Sequence, residues 1–407
     1  MAKLLCDKHF EITNGDKIVY LNSLANKIKS SGQKVINATV GMLYDENGEL
    51  SNISFVDDII KNPPKDVKKY GSISGGKEFS SALYSWLFSN CNLNNLNSYI
   101  IATFGATAAL SLSIRNYCSS SQEVLVPSIR WSNYDTISKM AGCEVKEYNL
   151  FNGDDTLDIE SIKNVVNESI NKHHRAYLLI NDPCQNPTGY TLSISEWKEL
   201  LSYLKDKSKE GPIVLLDDIA YLNYSEVNYD EVFNLFNEYV SDNLMIHITF
   251  SASKTLGIYG YRGGALIGLC KNKEDIQDFK LSCEGSARGI WSMPNSLTCN
   301  IISEIFKDEE KVKVVRKDIE NYRILLKERA NLFFEECEIA GLVTYPYNDG
   351  FFVLIPCENP DFICDKLLKK NIFVVPMSGG LRISLSSLSK NEIKGLAKQI
   401  KNAMKWS

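Results

Sequence analysis

Seven short candidate strands, at 99–103, 124–127, 145–148, 176–180, 213–216, 245–250 and 265–269, alternate with amphipathic stretches through the middle of this 407-residue chain. Most of them are nearly continuous apolar runs, which suit strands buried on both faces, and the segments between them carry helical spacing. The clearest helix opens at Ser193, where Ser193 and Glu196 stand in the capping arrangement that satisfies backbone N–H groups reciprocally. Ile194, Trp197, Leu200, Leu201 and Leu204 then share one face. Such alternation predicts an α/β fold on a mostly parallel, helix-covered sheet. Ligands of such sheets bind beyond the carboxyl ends of the strands.

After the last run the pattern changes. Residues 314–337 read as one long helix, with Val315, Ile319, Tyr322, Leu325, Leu326 and Phe333 on a broad face. Stretches 351–355, 373–375 and 381–385 read as strands of a smaller α+β unit, which 35–41 could join as a further strand. The expected division is 1–50 as an arm and part of the small domain, 51–317 as a large domain, and 318–407 as a small carboxyl-terminal domain.

Composition removes several classes of function. A net charge of −5 with no lysine or arginine block gives no footprint for nucleic acid. No apolar run approaches the roughly 20 residues of a membrane helix, and residues 1–10 have no long apolar stretch or small-residue cleavage site. A cytoplasmic protein is expected. The 11 cysteines are irregularly spaced without a C-x-x-C pair, and the 4 histidines show no ligand spacing. Neither a disulfide framework nor a metal site is expected.

The chemistry-bearing residues fall at strand ends or in loops. Lys254 closes Ser251-Ala252-Ser253-Lys254, directly after the run at 245–250, and Arg262 follows on Tyr261-Arg262-Gly263-Gly264. A lysine in a dry pocket loses its proton and can condense with an aldehyde, while hydroxyls and an arginine hold a phosphate. Pyridoxal 5'-phosphate needs both. Phe104-Gly105-Ala106-Thr107-Ala108-Ala109 ends a strand and opens a helix, where free N–H groups and the Thr107 hydroxyl form an anion cradle or small residues simply pack. Asn186-Pro187-Thr188-Gly189 is a turn, or a turn whose amide meets a ring hydroxyl. Asp217 and Asp218, ahead of Ile219-Ala220-Tyr221, either cap the next element or place a carboxylate against a pyridinium nitrogen. Trp131 is core or a stacking platform. Arg382, flanked by Leu381 and Ile383, serves a salt bridge or a carboxylate fork.

Taken together, Ser251-x-x-Lys254 with Arg262, Asp218-x-Ala220-Tyr221 and Asn186-Pro187-Thr188-Gly189 resemble the fold-type I pyridoxal-phosphate enzymes. Among these the chain is most similar to the aspartate and aromatic amino acid aminotransferases, from about Asp16 onward. The resemblance implies an α/β large domain with a mixed, mostly parallel seven-stranded sheet, and a smaller α+β domain. It implies that Lys254 binds the cofactor covalently and carries the proton, that Asp218 pairs with the ring nitrogen, and that Asn186 and Tyr221 meet the ring hydroxyl. Gly105, Ala106, Thr107, Ser251 and Arg262 would hold the phosphate, Trp131 would stack, and Tyr70 would reach the neighbouring subunit's phosphate. Arg382 would fork the substrate α-carboxylate, Gly41 would lie against the substrate, and Arg288 would reach across a homodimer to a side-chain carboxylate. The activity implied is transamination between an L-amino acid (aspartate, glutamate or an aromatic one) and a 2-oxo acid. The same fold also serves β-lyases and amino acid decarboxylases, and a non-catalytic effector-binding module is a third reading. Three residues depart from the family pattern: Tyr134 stands for a histidine behind the aspartate, Ala108 for a glycine, and Trp291 for a tyrosine.

Overall fold

The protein is described by a computed structural model covering residues 17–405; the leaderless segment expected at 1–10, with Cys6 and His9, lies outside them, as does Asp16. A helix at Lys17–Ser30 leads into β1 (Ile36–Asn37). The large sheet then takes β2 (Asn97–Phe104), β3 (Glu123–Pro127), β4 (Glu144–Tyr148), β5 (Ala176–Ile180), β6 (Ile213–Asp218), β7 (Leu244–Ser251) and β8 (Gly263–Cys270). Each of the seven candidates is one of these strands, in the spatial order β2-β8-β7-β6-β5-β3-β4. Every residue of β5 to β8 is buried, the polar Asp217, Asp218, His247, Thr249 and Ser251 among them.

β8 runs antiparallel to both neighbours, and all other pairs are parallel. Between β7 and β8 the chain has only the short helix Ala252–Thr255 and the turn Tyr259–Tyr261. That is less than the crossover a parallel partner demands, so the strand returns. This return puts Lys254 and Arg262 together at the carboxyl end of β7.

The helix expected from Ser193 is Ile194–Lys207, with both halves of its capping box formed. The long helix is longer than its sequence pattern, running Glu309–Ala340 from an Asp308 cap to Gly341 at φ 61°. Val315, Ile319 and Leu326 pack into the core of the large sheet, while Ala330, Phe333 and Cys337 belong to a second core. That second core covers β9 (Phe352–Pro356), β10 (Ile372–Phe373), β11 (Val375–Met377) and β12 (Gly380–Ser384). β9, β12 and β11 form an antiparallel sheet, and β10 pairs in parallel with β1.

The strand expected over 35–41 makes a ladder only at Ile36–Asn37. Beyond it, side chains replace the ladder: Arg382 Nη2 donates to the Thr39 carbonyl at 2.7 Å and Ser384 Oγ to the Val40 carbonyl at 2.7 Å. Arg329, with no exposed surface, ties the next stretch down. It donates to Glu46 Oε1 at 2.8 and 2.9 Å, to the Tyr44 carbonyl at 2.9 Å and to the Ser386 carbonyl at 3.2 Å. A buried guanidinium needs such complete pairing. No helix among the described residues is long and apolar enough to cross a membrane.

Candidate active site

A cavity of about 480 Å³ opens at the carboxyl ends of β5, β6 and β7. Lys254 enters it from the short helix after β7. Its ammonium is packed between the Tyr259 and Tyr221 rings, 4.8 and 5.7 Å from their centroids, and donates to the Gly41 carbonyl at 3.0 Å. Burial, with the positive charges of Arg262 and Arg382, pushes the amine down to about 7 against the pull of Asp218. A lysine so placed gives up its proton far more readily than an exposed one.

Asp218 ends β6, facing β7. Tyr134 donates its hydroxyl to one carboxylate oxygen at 2.7 Å and Thr249 to the other at 2.8 Å. Burial nonetheless holds this acid above the usual carboxylate range, the two hydroxyls working against it. Both bonds come from neutral donors, which leaves the carboxylate suited to a cationic partner inside the cavity. Tyr134 thus supplies a fixed donor in place of the family's histidine. The departure keeps Asp218 held.

Arg262 and the start of the helix after β2 could hold an anion in this cavity. Gly105 begins the helix Gly105–Tyr117 at φ 75°, and a Cβ there would stand 2.7 Å from Arg262 Nη2. Arg262 Nη1 donates to Ser253 Oγ at 3.2 Å and to the Tyr259 carbonyl at 2.9 Å. Guanidinium, helix N-terminus and hydroxyls therefore converge where a phosphate would sit. Ala106, Thr107 and Ser251 line the same cavity. Gly105→Ala is expected to strain the backbone by about 1–2 kcal/mol and to displace Arg262. The checks are a lower melting temperature and a phosphate-bearing ligand bound at least tenfold more weakly, read by fluorescence titration.

Arg382 forms the third corner. It is 2% exposed, lies 4.4 Å from the Phe352 ring centroid, and donates to Asn186 Oδ1 at 3.2 Å. Gly41 is there because nothing larger fits: a Cβ would meet Phe352 Cζ at 2.6 Å. Tyr221 lines the cavity, its hydroxyl held above its ordinary range by burial and eased by Arg382. Trp131 lines it too, edge-on to Tyr134 at 5.5 Å.

Two expected residues are not gathered into this cavity. Tyr70 is 94% exposed, and Arg288 is exposed on the helix Lys273–Ile290, bonded to Ser292. Asp217, left without a role by the sequence, points to the other side of β6 and accepts from Tyr229 at 2.7 Å. Several cavity residues escape the sequence reading. Ser253 rather than Ser251 meets Arg262, though it lies inside the same quoted tetrapeptide. Thr249 could have been found from strand alternation, while Asn181, Tyr259 and Phe352 carried no motif.

Fold and site together define a transferase pocket: an amine of depressed basicity on a mixed α/β sheet, between an anion cradle and a buried arginine. The family described as aminotransferase class I and II matches residues 33–400, and the chain belongs to it. The aromatic-amino-acid aminotransferase of Pseudomonas aeruginosa is 26% identical over 223 residues, 54% of this chain and 54% of that protein. The chain thus spans about half the length of that relative, and 62% of the mitochondrial aspartate aminotransferase of Xenopus tropicalis. The aromatic-amino-acid aminotransferase of Paracoccus denitrificans is 25% identical over 82% of this chain and 83% of its own length. An aminotransferase crystal structure from Anaerococcus prevotii superposes with a TM-score of 0.93 at 29% identity, covering 98% of this chain and 99% of that one.

Proposed function

We propose that the cavity holds pyridoxal 5'-phosphate and that the protein moves the amino group of an L-amino acid to a 2-oxo acid. The observation that carries this is the depressed amine of Lys254 in one cavity with Asp218, Arg262 and Arg382. Three solved or curated relatives are named as aminotransferases, and one fold neighbour, from Burkholderia pseudomallei, is described as covalently bound to pyridoxal phosphate.

When bound, the cofactor supplies an electron sink for the pair left on the substrate α-carbon. The chain's own residues do the rest. Arg262, Ser253, Thr107 and the helix start at Gly105 hold the phosphate, with Ser251 beside them. Asp218, fixed by Tyr134 and Thr249, sets its negative charge against the ring nitrogen. Asn186 and Tyr221 address the ring hydroxyl, and Trp131 the ring face. Arg382 grips the α-carboxylate, and the Gly41 carbonyl borders the substrate. Lys254 Nζ, its basicity lowered to about 7, takes up and returns a proton.

Within one chain the cationic groups lining the cavity are Lys254, Arg262 and Arg382, and its outer wall is apolar: Ile18, Val19, Val40 and Met42. This supports an aromatic or aliphatic side chain directly. Aspartate and glutamate would rely on Arg288, and the phosphate of a second subunit on Tyr70, so we read the protein as a cytoplasmic homodimer. The swap of cores along the long helix, between Leu326 and Ala330, supports a large and a small domain joined there.

The test is a spectral screen in which each amino acid is added to purified, cofactor-loaded protein. Conversion of the visible band together with release of the matching 2-oxo acid is expected. With aspartate, alanine as the product would mean β-decarboxylation, and pyruvate with ammonia from a β-substituted donor would mean a lyase.

A further inference from the structure

Three of the groups assigned above to the cofactor ring or the substrate carboxylate lie on different segments: Asp218 on β6, Asn186 in the loop following β5, Arg382 on β12. One buried side chain spans the gap between two of them. Asn181, the first residue after β5, is 3% exposed and lines the cavity. Its Nδ2 donates to the Asp218 carbonyl at 2.7 Å, and its Oδ1 accepts from the Asn186 N–H at 2.8 Å. The amide can face only this way, because a carbonyl cannot donate and a backbone N–H cannot accept.

The placement has a simple cause. The parallel ladder between β5 and β6 ends at Ile180 opposite Asp217. One residue further the two backbones part, as the chain after β5 turns away into the Asn186 loop. The Asn181 carboxamide, which carries a peptide's own donor and acceptor, takes over where the ladder stops. Asn186 then passes the link on, since its side-chain oxygen accepts from Arg382 at 3.2 Å. Asp218, Asn181, Asn186 and Arg382 thus form one continuous hydrogen-bonded chain across the cavity floor.

We propose that Asn181 is a positioning residue that fixes the distance between the ring-nitrogen partner Asp218 and the ring-hydroxyl partner Asn186, and through Asn186 the attitude of Arg382. This rests on the cofactor reading given above. Asn181 itself need touch no reacting atom. Its effect is to make ring binding and carboxylate binding depend on one amide, which a residue serving only local packing would not do.

The test compares Asn181→Asp with the parent protein. The aspartate keeps the shape and the acceptor toward Asn186 but turns an oxygen toward the Asp218 carbonyl oxygen. Expected are an unchanged circular dichroism spectrum, pyridoxal 5'-phosphate bound about tenfold more weakly, and a raised KM for both amino acid and oxo acid. The pH at which the visible band of the loaded enzyme titrates should also move, since the main chain at Asp218 loses its tie to the Asn186 loop while Tyr134 and Thr249 still hold the carboxylate. Asn181→Ser, smaller and neutral, is the second variant should the aspartate prevent folding, and it should show the same joint weakening. Equal cofactor affinity, unaltered KM and an unmoved titration in the folded variant would overturn the proposal. Lys254→Ala run alongside separates the two readings: its full turnover would sink the cofactor assignment itself, whereas its inactivity with a normal Asn181→Asp protein would sink only the role of Asn181.

Discussion

Lys254→Ala is expected to leave a folded protein with no covalently held cofactor, no visible absorbance from it, and turnover reduced by at least about 10³-fold. The size follows from what one amine does here. A positioned acid–base group contributes roughly 10²–10⁴ in rate, and the covalent hold is lost at the same time. The fold should survive, because the ammonium makes one hydrogen bond, to the Gly41 carbonyl, and costs desolvation where it stands. The same position predicts a pH effect. The folded amine titrates at about 7, so the free base grows as pH rises through that value. Covalent capture of added pyridoxal 5'-phosphate by the cofactor-free protein should therefore accelerate across the same interval, followed by stopped-flow absorbance. A capture rate that climbs about tenfold per pH unit through pH 8 without levelling off would mean that Lys254 keeps an ordinary basicity.

Asp218→Asn is the second large effect. The substitution keeps the shape and at least one hydrogen bond with Tyr134 and Thr249, and removes only the charge. An opposite charge met at close range in a site of this dryness is worth about 4 kcal/mol, which corresponds to about a thousandfold in rate. The loss should fall on kcat while the visible band persists, because Lys254 and the Arg262 cradle still hold the cofactor. Single-turnover measurements beside cofactor titration separate these. A variant with kcat within a factor of about three of the parent would show that the ring needs no counter-charge from this residue.

The large sheet was legible because the strands at its centre, β5 to β8, are buried on both faces, and each candidate strand survives with little change at its ends. Lys254, Asp218, Asn186, Arg262 and Arg382 were legible because each ends a strand or sits in a motif of fixed spacing. What escaped was whatever depends on contact between distant segments. Phe352 closes against Gly41, and the Lys254 amine meets the Gly41 carbonyl, across separations that no local pattern encodes. Asn181 carries no motif, and its carboxamide links the Asp218 carbonyl to the Asn186 N–H, a tie between segments that no local pattern encodes. Ser253 shows the limit of motif transfer: the tetrapeptide was identified, but which hydroxyl faces Arg262 depends on the turn of a helix only four residues long. The strand expected over 35–41 forms only at Ile36–Asn37 for the opposite reason, since beyond it the partners are side chains of Arg382 and Ser384 rather than another backbone edge.

The pairing of β1 with β10, and of the Thr39 and Val40 carbonyls with Arg382 and Ser384, sets an order of events during synthesis. The large sheet is complete once residue 270 has emerged, and can close while translation continues. The stretch carrying Gly41 must wait, unpaired, for strands made more than 300 residues later. A nascent chain therefore carries Lys254 and Arg262 well before it has Arg382. Stalled or shortened products would keep the lysine but lack the Phe352 ring and the Arg382 guanidinium that complete its surroundings.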